Sequence, residues 1–405
     1  MTEEVIRRIH ASGQAGVIVV TGGGATAISQ LLAVPGGSRT LLEASVPYSS
    51  AALAAWLRRR PESYCSDETA LAMAAVALER ARTLAAAENT TTSTPAVASS
   101  SLFGLSCTAS LVSDRPKRGE HRAYVAAHTH RGTASFTLDL EKGARDRSAE
   151  ESLVGELILH ALAVTCGVQN PMALSLRPGE EVKVEQVPAE PWLVKLLEAR
   201  RGVVWSLPEG TFESRLSSAL WPEPTVLSAP LPQRGVLCGS FNPLHAGHRQ
   251  LRDVAAARLN GPVYYELSLR NVEKPPLDFL TLERRRRQFT EEPLALTSAP
   301  TFAEKAQALP GTTFVVGLDT AERIVDPRYY NGSTTERDLA LAKIRGQGCR
   351  FLVAGRVEDD KTFRTLEQCP LPASANGLFQ SIPESEFRVD LSSTELRRGT
   401  GSQEE

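Results

Sequence analysis

Short apolar runs alternate along both halves of the chain with longer stretches of helical period. Residues 16–20 and 235–238 are such apolar runs. Residues 249–259 show the helical pattern, and residues 153–165 are a longer apolar stretch that predicts a helix. Apolar runs bounded by turn residues predict buried strands, whereas a period of 3.6 predicts helices. Their alternation predicts α/β layers with mostly parallel sheets in each half.

The length of 405 residues predicts two or three domains. We expect a first α/β layered domain at residues 1–169 and a second domain at residues 234–405. Residues 170–233 are rich in proline and charge, so they predict a connecting region. For the second domain we expect a Rossmann-like, doubly wound parallel sheet.

Composition narrows the class of partner. A net charge of −2 predicts no attraction to nucleic acid or to a membrane surface. No apolar run approaches the roughly 18–20 residues of a membrane span, and the start of the chain lacks the apolar segment of a secretory signal. We therefore expect a cytoplasmic protein, with import into an organelle left open. The six cysteines are scattered without a C-x-x-C pair, so we expect reduced thiols and name no metal ligand.

The segment 239–248 carries the strongest chemical signal. It reads GSFNPLHAGH and directly follows the apolar run 235–238. A spacing of three residues places His245 and His248 on one face of the helix that begins there. The glycines and the helix start add backbone N–H groups and the positive end of a helix dipole. The segment therefore predicts a phosphate-binding site.

This segment resembles the H-x-G-H signature of the nucleotidyltransferase superfamily, whose members transfer a nucleotidyl group from a nucleoside triphosphate to an acceptor. The resemblance implies that His245 and His248 are catalytic, because they would donate to phosphate oxygens in the transition state. A turn with two surface histidines is the alternative interpretation. The residues for which the resemblance implies nucleotide binding are Gly239, Ser240, Phe241 and Asn242.

A second segment, residues 389–398, reads VDLSSTELRR. The spacing of Ser392 and Glu395 predicts the start of a helix. The segment is similar to the superfamily's I-S-S-T-x-[IL]-R motif, which holds the outgoing β- and γ-phosphates. An ordinary capped helix is the alternative. The resemblance implies phosphate contacts for Ser392, Ser393, Thr394 and a catalytic Arg397.

A third segment, residues 315–320, is an apolar run that ends in Gly317-x-Asp319. This pattern fits a strand that ends at the nucleotide crevice of a doubly wound sheet. It resembles the G-x-D of pyridine-nucleotide adenylyltransferases, which implies that both residues bind nucleotide. The alternative for Asp319 is a helix N-cap.

Three further residues are candidates for acceptor binding. Lys274 resembles a basic residue that faces the phosphates or the acceptor in relatives, although surface lysines are common. The pyridine mononucleotide adenylyltransferases that the motifs resemble commonly stack the pyridine ring on a tryptophan, but all four tryptophans here precede His245. Tyr329 or Tyr330 could provide the stacking face instead. Both tyrosines are equally compatible with a place in the core or on the surface.

Four consecutive arginines, residues 284–287, lie on a predicted helix. Because a helix turns about 100° per residue, they cannot all face one ligand. We expect a solvated face with one arginine turned inward. A nucleic-acid patch is the alternative, which the net charge and the lack of interleaved aromatic residues disfavour.

The two motifs together resemble those of adenylyl-transferring enzymes. They imply transfer of AMP from ATP to nicotinamide or nicotinate mononucleotide, which yields the dinucleotide and pyrophosphate. Mg²⁺ is implied as the ion that neutralises the triphosphate. The alternatives are a cytidylyltransferase that acts on a phosphorylated small molecule and a non-catalytic nucleotide-binding regulatory protein. Small-molecule nucleotides are the expected partners, and the oligomeric state stays open, a homo-oligomer included.

The first half carries Thr21-Gly22-Gly23, then residues 32–38 with V-P-G-G-S, then Tyr48-Ser49. This series resembles the C-terminal domain of the CinA family, whose members deamidate nicotinamide mononucleotide. The family's nucleophilic serine, two residues before the T-G-G, is replaced by Val19, which has no nucleophilic group. We therefore expect no amidase activity.

A dinucleotide-binding fold is the alternative for the first half. Gly22, Gly24 and Ala27 match the G-x-G-x-x-[GA] pattern, and Glu43 follows about 20 residues later. The pattern is short, so the CinA-like interpretation, which covers more residues, is preferred.

Overall fold

The computed structural model describes most of the chain. The described residues are 2–91, 98–114, 119–199, 202–213, 234–358 and 362–388. The chain divides into two compact units: Met1–Glu190 with Glu273–Glu283 form the first, and Pro191–Val272 with Arg284–Glu405 form the second. Within the described residues, no helix is both long and apolar enough to cross a membrane.

The first unit contains a six-stranded sheet with the strand order β2-β1-β3-β4-β5-β6. Its elements in chain order are α1 (Thr2–His10), β1 (Ala15–Thr21), α2 (Ala25–Ala33), β2 (Leu41–Ser45), α3 (Ser50–Trp56), α4 (Asp67–Thr91), β3 (Leu102–Ser110), β4 (His121–Thr129), β5 (Gly132–Leu140), α5 (Arg147–Thr165) and β6 (Val182–Pro188).

Strand β1 lies between β2 and β3, and all seven of its residues are buried. Ile18 and Val20 belong to a core cluster that includes α1, α2 and α5 residues. Val17 and Val19 belong to another cluster, with α3 and α4 residues. Side chains of a strand alternate between its two faces, and both faces of β1 are covered by helices. This explains the uninterrupted apolar run in the sequence.

The first sheet departs from the mostly parallel arrangement that the sequence predicts. β1 is parallel to β2 and β3, but β3, β4, β5 and β6 pair antiparallel. β4 ends at Thr129 and β5 begins at Gly132, and a loop of that length joins only antiparallel strands. The predicted α/β class is confirmed for this unit, whereas the predicted strand direction is wrong beyond β3.

The second unit contains an eight-stranded sheet and a separate pair of short strands. Helix α8 begins in the Glu273–Glu283 segment of the first unit and ends in the second. The elements after β6 are α6 (Pro191–Ala199), β7 (Val203–Ser206), β8 (Phe212–Glu213), β9 (Arg234–Cys238), α7 (Ala246–Leu259), β10 (Val263–Ser268), α8 (Phe279–Arg286), β11 (Leu294–Thr297), α9 (Phe302–Ala308), β12 (Thr312–Gly317), α10 (Leu318–Val325), α11 (Thr334–Gly346), β13 (Arg350–Ala354), β14 (Arg356–Val357), β15 (Phe363–Arg364) and β16 (Phe379–Ile382).

Residues 170–233, where the sequence predicts a connecting region, include strands of both sheets. β6 belongs to the sheet of the first unit, and β7 and β8 belong to the sheet of the second. Residues 214–233 lie outside the described residues.

The strand order of the second sheet is β16-β13-β12-β9-β10-β11-β7-β8. The six strands from β16 to β11 are parallel, and β7 and β8 extend the sheet antiparallel. The first of the parallel strands, β9, lies in the middle, with the next two on one side and the last three on the other. This is the Rossmann-like, doubly wound order, and the predicted fold class is confirmed. The order reverses between β9 and β12, and doubly wound sheets form their ligand crevice outside the carboxyl ends of the strands at such a point.

His128 on β4 is a buried titratable group of the first unit, with 5% of its surface exposed. Its Nδ1 lies 2.8 Å from the Oγ1 of Thr133, and Phe279 packs edge-on against its ring. Burial, with a smaller contribution from the charge of Arg82, lowers the pKa of His128 to about 3.

We expect acid to destabilise the first unit through His128. The pKa of an unfolded histidine is about 6.5, so between pH 6.5 and pH 3 the unfolded chain binds more protons, and stability falls as pH falls. From pH 7 to pH 5 the loss is about 2 kcal/mol for this group. Opening free energies from hydrogen exchange of β4 and β5 amides measure it. The variant His128→Asn should lose less stability between pH 7 and pH 5. Equal losses of stability in both proteins would show that His128 is not the group responsible.

Candidate functional site

The loop between β9 and α7 begins at the carboxyl end of a central strand. The N–H of Gly239 donates to the carbonyl oxygen of Glu266 at 3.1 Å, which extends the pairing of β9 with β10. The peptide bond between Asn242 and Pro243 is cis. Phe241 has a φ of 44°, in the left-handed region that residues with a Cβ atom rarely adopt. Some packing interaction must therefore hold this residue.

The ring of Phe241 supplies that interaction, because it is fully buried. Its centroid lies 5.1 Å from that of His248, 5.4 Å from that of Tyr265 and 5.3 Å from that of Phe289, each near perpendicular. The buried ring thus packs against His248 from the side of the core. Any contact of Phe241 with a nucleotide would be through its backbone, since the side chain faces the core.

The two histidines lie together at the first turn of α7, as their spacing predicts. Their rings stack with centroids 3.8 Å apart and planes 29° apart. His245 is the N-cap residue of α7, and its N–H donates to Nδ1 of His248 at 3.3 Å. A nitrogen that accepts carries no proton, so the neutral ring of His248 has its hydrogen on Nε2.

Both imidazoles are neutral at pH 7. Burial, followed by the repulsion that a protonated ring would meet from His245 and Arg249, lowers the pKa of His248 to about 4. Burial also lowers the pKa of His245. The rings can therefore donate hydrogen bonds without first carrying positive charge.

Two residues at the end of α8, neither of which the motifs mark, hold the loop from its other side. Gln288 accepts the N–H of Leu244 at 2.7 Å and donates to the carbonyl oxygen of Phe241 at 3.1 Å. Nη1 of Arg285 donates to the carbonyl oxygen of Ser240 at 3.0 Å. The sequence predicts that one arginine of the 284–287 run turns inward. Arg285 does so, but Arg286 turns inward as well, since its guanidinium lies over the ring of Phe212 at 5.3 Å. Nothing in the pattern points to Gln288.

Gly317 lies at the same edge of the sheet as Gly239. Strand register pairs Val315 with Leu237, and Gly317 and Gly239 each lie two residues beyond their member of this pair. Gly317 is exposed, with φ −78° and ψ 161°, which any residue can adopt. A Cβ atom there would meet no heavy atom of the described residues within 4 Å. The folded protein alone therefore does not require glycine here, and the bare backbone leaves room at the crevice.

Asp319 lies in the first turn of α10, whereas the N-cap is Gly317. The alternative in which Asp319 caps the helix is therefore wrong. Its carboxylate pairs with Nη1 of Arg356, and both side chains are about half exposed. The carboxylate is thus accessible beside the crevice, with its charge balanced by the arginine.

The remaining candidates are placed as follows. Asn242 is exposed in the loop, and Tyr329 is partly exposed after α10. The hydroxyl of Tyr330 donates to the carbonyl oxygen of Ile324 at 2.8 Å, so this tyrosine is tied to the end of α10. Lys274 lies in the segment that belongs to the first unit. The residues of the second motif, which lie outside the described residues, are Ser392, Ser393, Thr394 and Arg397.

The first unit has a cavity of about 410 Å³ at the carboxyl ends of β1 and β2, lined in part by Gly22, Gly23 and Tyr48. Val19, which replaces the nucleophilic serine in the CinA-like series, is fully buried in the core. Glu151 lines the cavity and accepts the N–H of Thr26 at 3.3 Å, at the start of α2.

The dinucleotide alternative depends on Glu43, because the fingerprint needs a free acid near the glycine turn. The carboxylate of Glu43 instead forms an ion pair with Arg80 at 2.8 Å.

No protein-family model matches the chain, and no curated protein matches its sequence. The solved structures that resemble part of it include the following two. The competence/damage inducible protein CihA from Agrobacterium tumefaciens is 20% identical, with a TM-score of 0.30 over 42% of this chain and 96% of that one. A competence-damaged protein (CinA) superfamily protein from Escherichia coli is 15% identical, with a TM-score of 0.31 over 42% and 90%.

Replacing Gly239 by alanine should disturb the loop. The new Cβ atom would lie 2.6 Å from two ring atoms of Phe241, and packing on three other rings opposes displacement of this ring. We expect a loss of about 1–3 kcal/mol in the free energy of unfolding, measured by urea denaturation.

Gly346→Ala is the matched control for this loss. Gly346 ends α11, where a Cβ atom would meet nothing among the described residues within 4 Å. Alanine in a helix should leave its stability unchanged or slightly raised. Equal stability of both variants would show that the Phe241 ring adapts.

Proposed function

We propose that the second unit catalyses nucleotidyl transfer, with AMP moved from ATP to nicotinamide or nicotinate mononucleotide. The observation that carries the proposal is the stacked pair of neutral imidazoles, His245 and His248, at the start of α7. The pair lies at the point where the strand order of a doubly wound sheet reverses, which is where such sheets bind ligands. The choice of adenylyl group and acceptor rests on the resemblance of the motifs.

The reaction requires little covalent work from the protein. An oxygen of the acceptor phosphate forms a bond to the α-phosphorus, the bond to the β-phosphate oxygen breaks, and pyrophosphate leaves. Positioning and stabilisation of charge provide the rate enhancement. The N–H groups of His245 and His248 would donate to oxygens whose charge grows in the transition state. The N-terminal end of α7 adds its dipole to the same effect.

Neutral donors suit this task over a wide range of pH. A histidine with its pKa near 6.5 would change charge during a small acidification. Since the pKa of His248 is lowered to about 4, it keeps its Nε2–H and its neutral charge throughout the physiological range.

Mg²⁺ enters this proposal together with the triphosphate, as part of the substrate. The described residues contain no group of three or more His, Cys, Asp or Glu side chains that could hold a metal ion. We therefore assign no protein ligand. Pyrophosphate is assigned to residues 392–397 on the resemblance alone.

The direct test is pyrophosphate release by the full chain, incubated with ATP or CTP and a panel of phosphorylated acceptors. Release with ATP and a pyridine mononucleotide is the expected result. Release with CTP only would make the protein a cytidylyltransferase. Release with no pair would refute the proposal and favour a nucleotide-binding regulatory protein.

His248→Ala should lower turnover by about 100- to 1000-fold, since it removes one preorganised donor to the transition state. Pyrophosphate release measures the loss, and circular dichroism checks that the variant is folded. His130→Ala, in the hairpin between β4 and β5 of the first unit, is the matched control and should retain wild-type turnover. Near-normal turnover of His248→Ala would exclude a catalytic role for this ring.

Gly317→Ala should weaken nucleotide binding without destabilising the protein. The methyl group would meet no heavy atom of the described residues within 4 Å, so it should collide with a ligand that approaches the backbone at this strand end. We expect an unchanged melting temperature and a dissociation constant for ATP raised by about tenfold, equivalent to about 1.4 kcal/mol. Isothermal titration calorimetry measures binding, with Gly346→Ala as the control. Wild-type affinity would place the nucleotide away from this strand end.

A further inference from the structure

Gln288 lies in a turn that continues the end of α8. Its N–H donates to the carbonyl oxygen of Arg285 at 3.2 Å, and the N–H of Phe289 donates to that of Arg286 at 3.0 Å. Phe289 is buried and packs 5.0 Å from the ring of Tyr265. The backbone that carries Gln288 is therefore anchored independently of its side chain.

The side-chain amide of Gln288 uses all of its polar groups. Oε1 accepts the N–H of Leu244, and Nε2 donates to the carbonyl oxygens of Phe241 and Arg285, at 3.1 and 3.2 Å. A backbone N–H only donates and a carbonyl only accepts, so the orientation of the amide is determined. Only a side chain with an acceptor and two donors at this length satisfies all three partners.

The contacts of this amide fix both ends of a short segment before the histidines. Phe241 and Leu244 bracket Asn242 and Pro243, and Leu244 directly precedes His245. The N–H of His245 in turn binds Nδ1 of the second imidazole. A continuous series of hydrogen bonds and peptide links thus leads from Gln288 to both rings.

We propose that Gln288 is a positioning residue for the transfer reaction, which holds the loop after β9 so that both imidazoles meet the reacting phosphate. The proposal rests on the proposed function of this unit. Gln288 touches no reacting atom, so its loss should leave the ground-state binding of nucleotide largely unchanged. Displacement of a catalytic group by about 1 Å can cost 100-fold in rate.

The test compares Gln288→Ala and Gln288→Glu with Gln347→Ala, a matched control at an exposed glutamine after α11. For both Gln288 variants we expect kcat of pyrophosphate release to fall by about 10- to 100-fold, with KM for ATP changed by less than about threefold. The melting temperature should stay close to that of the wild type, because the aromatic cluster and the Arg285 contact remain. The control should match the wild type throughout.

The glutamate variant separates positioning from space filling, because it has the shape of glutamine without its two N–H donors. Its carboxylate faces the carbonyl oxygen of Phe241 at neutral pH, so it should be no better than alanine. A protonated carboxyl regains one donor. The kcat of Gln288→Glu relative to wild type should therefore rise as pH falls from 7 to 5.

Amide exchange at Leu244 provides a readout that needs no activity. In Gln288→Ala this amide loses its acceptor and should exchange at least about tenfold faster than in the wild type. Unchanged exchange together with unchanged kcat would overturn the proposal, as would a raised KM with normal kcat. If the wild type releases no pyrophosphate with any substrate pair, the proposed function fails, and exchange at Leu244 alone decides whether Gln288 holds the loop.

Discussion

The burial of the Phe241 ring beneath the loop after β9 is the constraint on which the candidate site depends. It holds Phe241 in a left-handed backbone conformation that its Cβ atom disfavours. It leaves no space for a side chain at Gly239, and it supports the ring of His248. An aromatic core contact therefore determines where two polar rings are presented at the surface of the second unit.

The electrostatics of the loop follow from the same packing. Because the imidazoles are partly buried and stacked on each other, their protonated forms are disfavoured. Neutral N–H donors are thereby combined with backbone N–H groups at the start of α7. An anion bound against these groups would be stabilised by fixed dipoles, which need no reorganisation during a reaction.

In both units a glycine-containing turn follows the carboxyl end of a parallel strand and leads into a helix. The two helix starts differ in whether an acidic side chain already occupies their backbone N–H groups. In the first unit, the carboxylate of Glu151 already accepts an N–H at the start of α2. In the second unit, the first turn of α7 carries histidines and no acidic residue. Because the N–H at the start of α2 is already satisfied, the helix start of the second unit would be the better phosphate site of the two.

The sequence by itself determined the α/β class and the strand, turn and helix around residues 239–248, because periodicity and histidine spacing are local properties. Tertiary structure decided the order of the strands, the antiparallel half of the first sheet and the burial of Phe241. It also brought Arg285 and Gln288 to a loop 44 to 47 residues earlier in the chain. Such contacts follow from which surfaces pack together over long sequence separations, and no local pattern of polar and apolar residues encodes that choice.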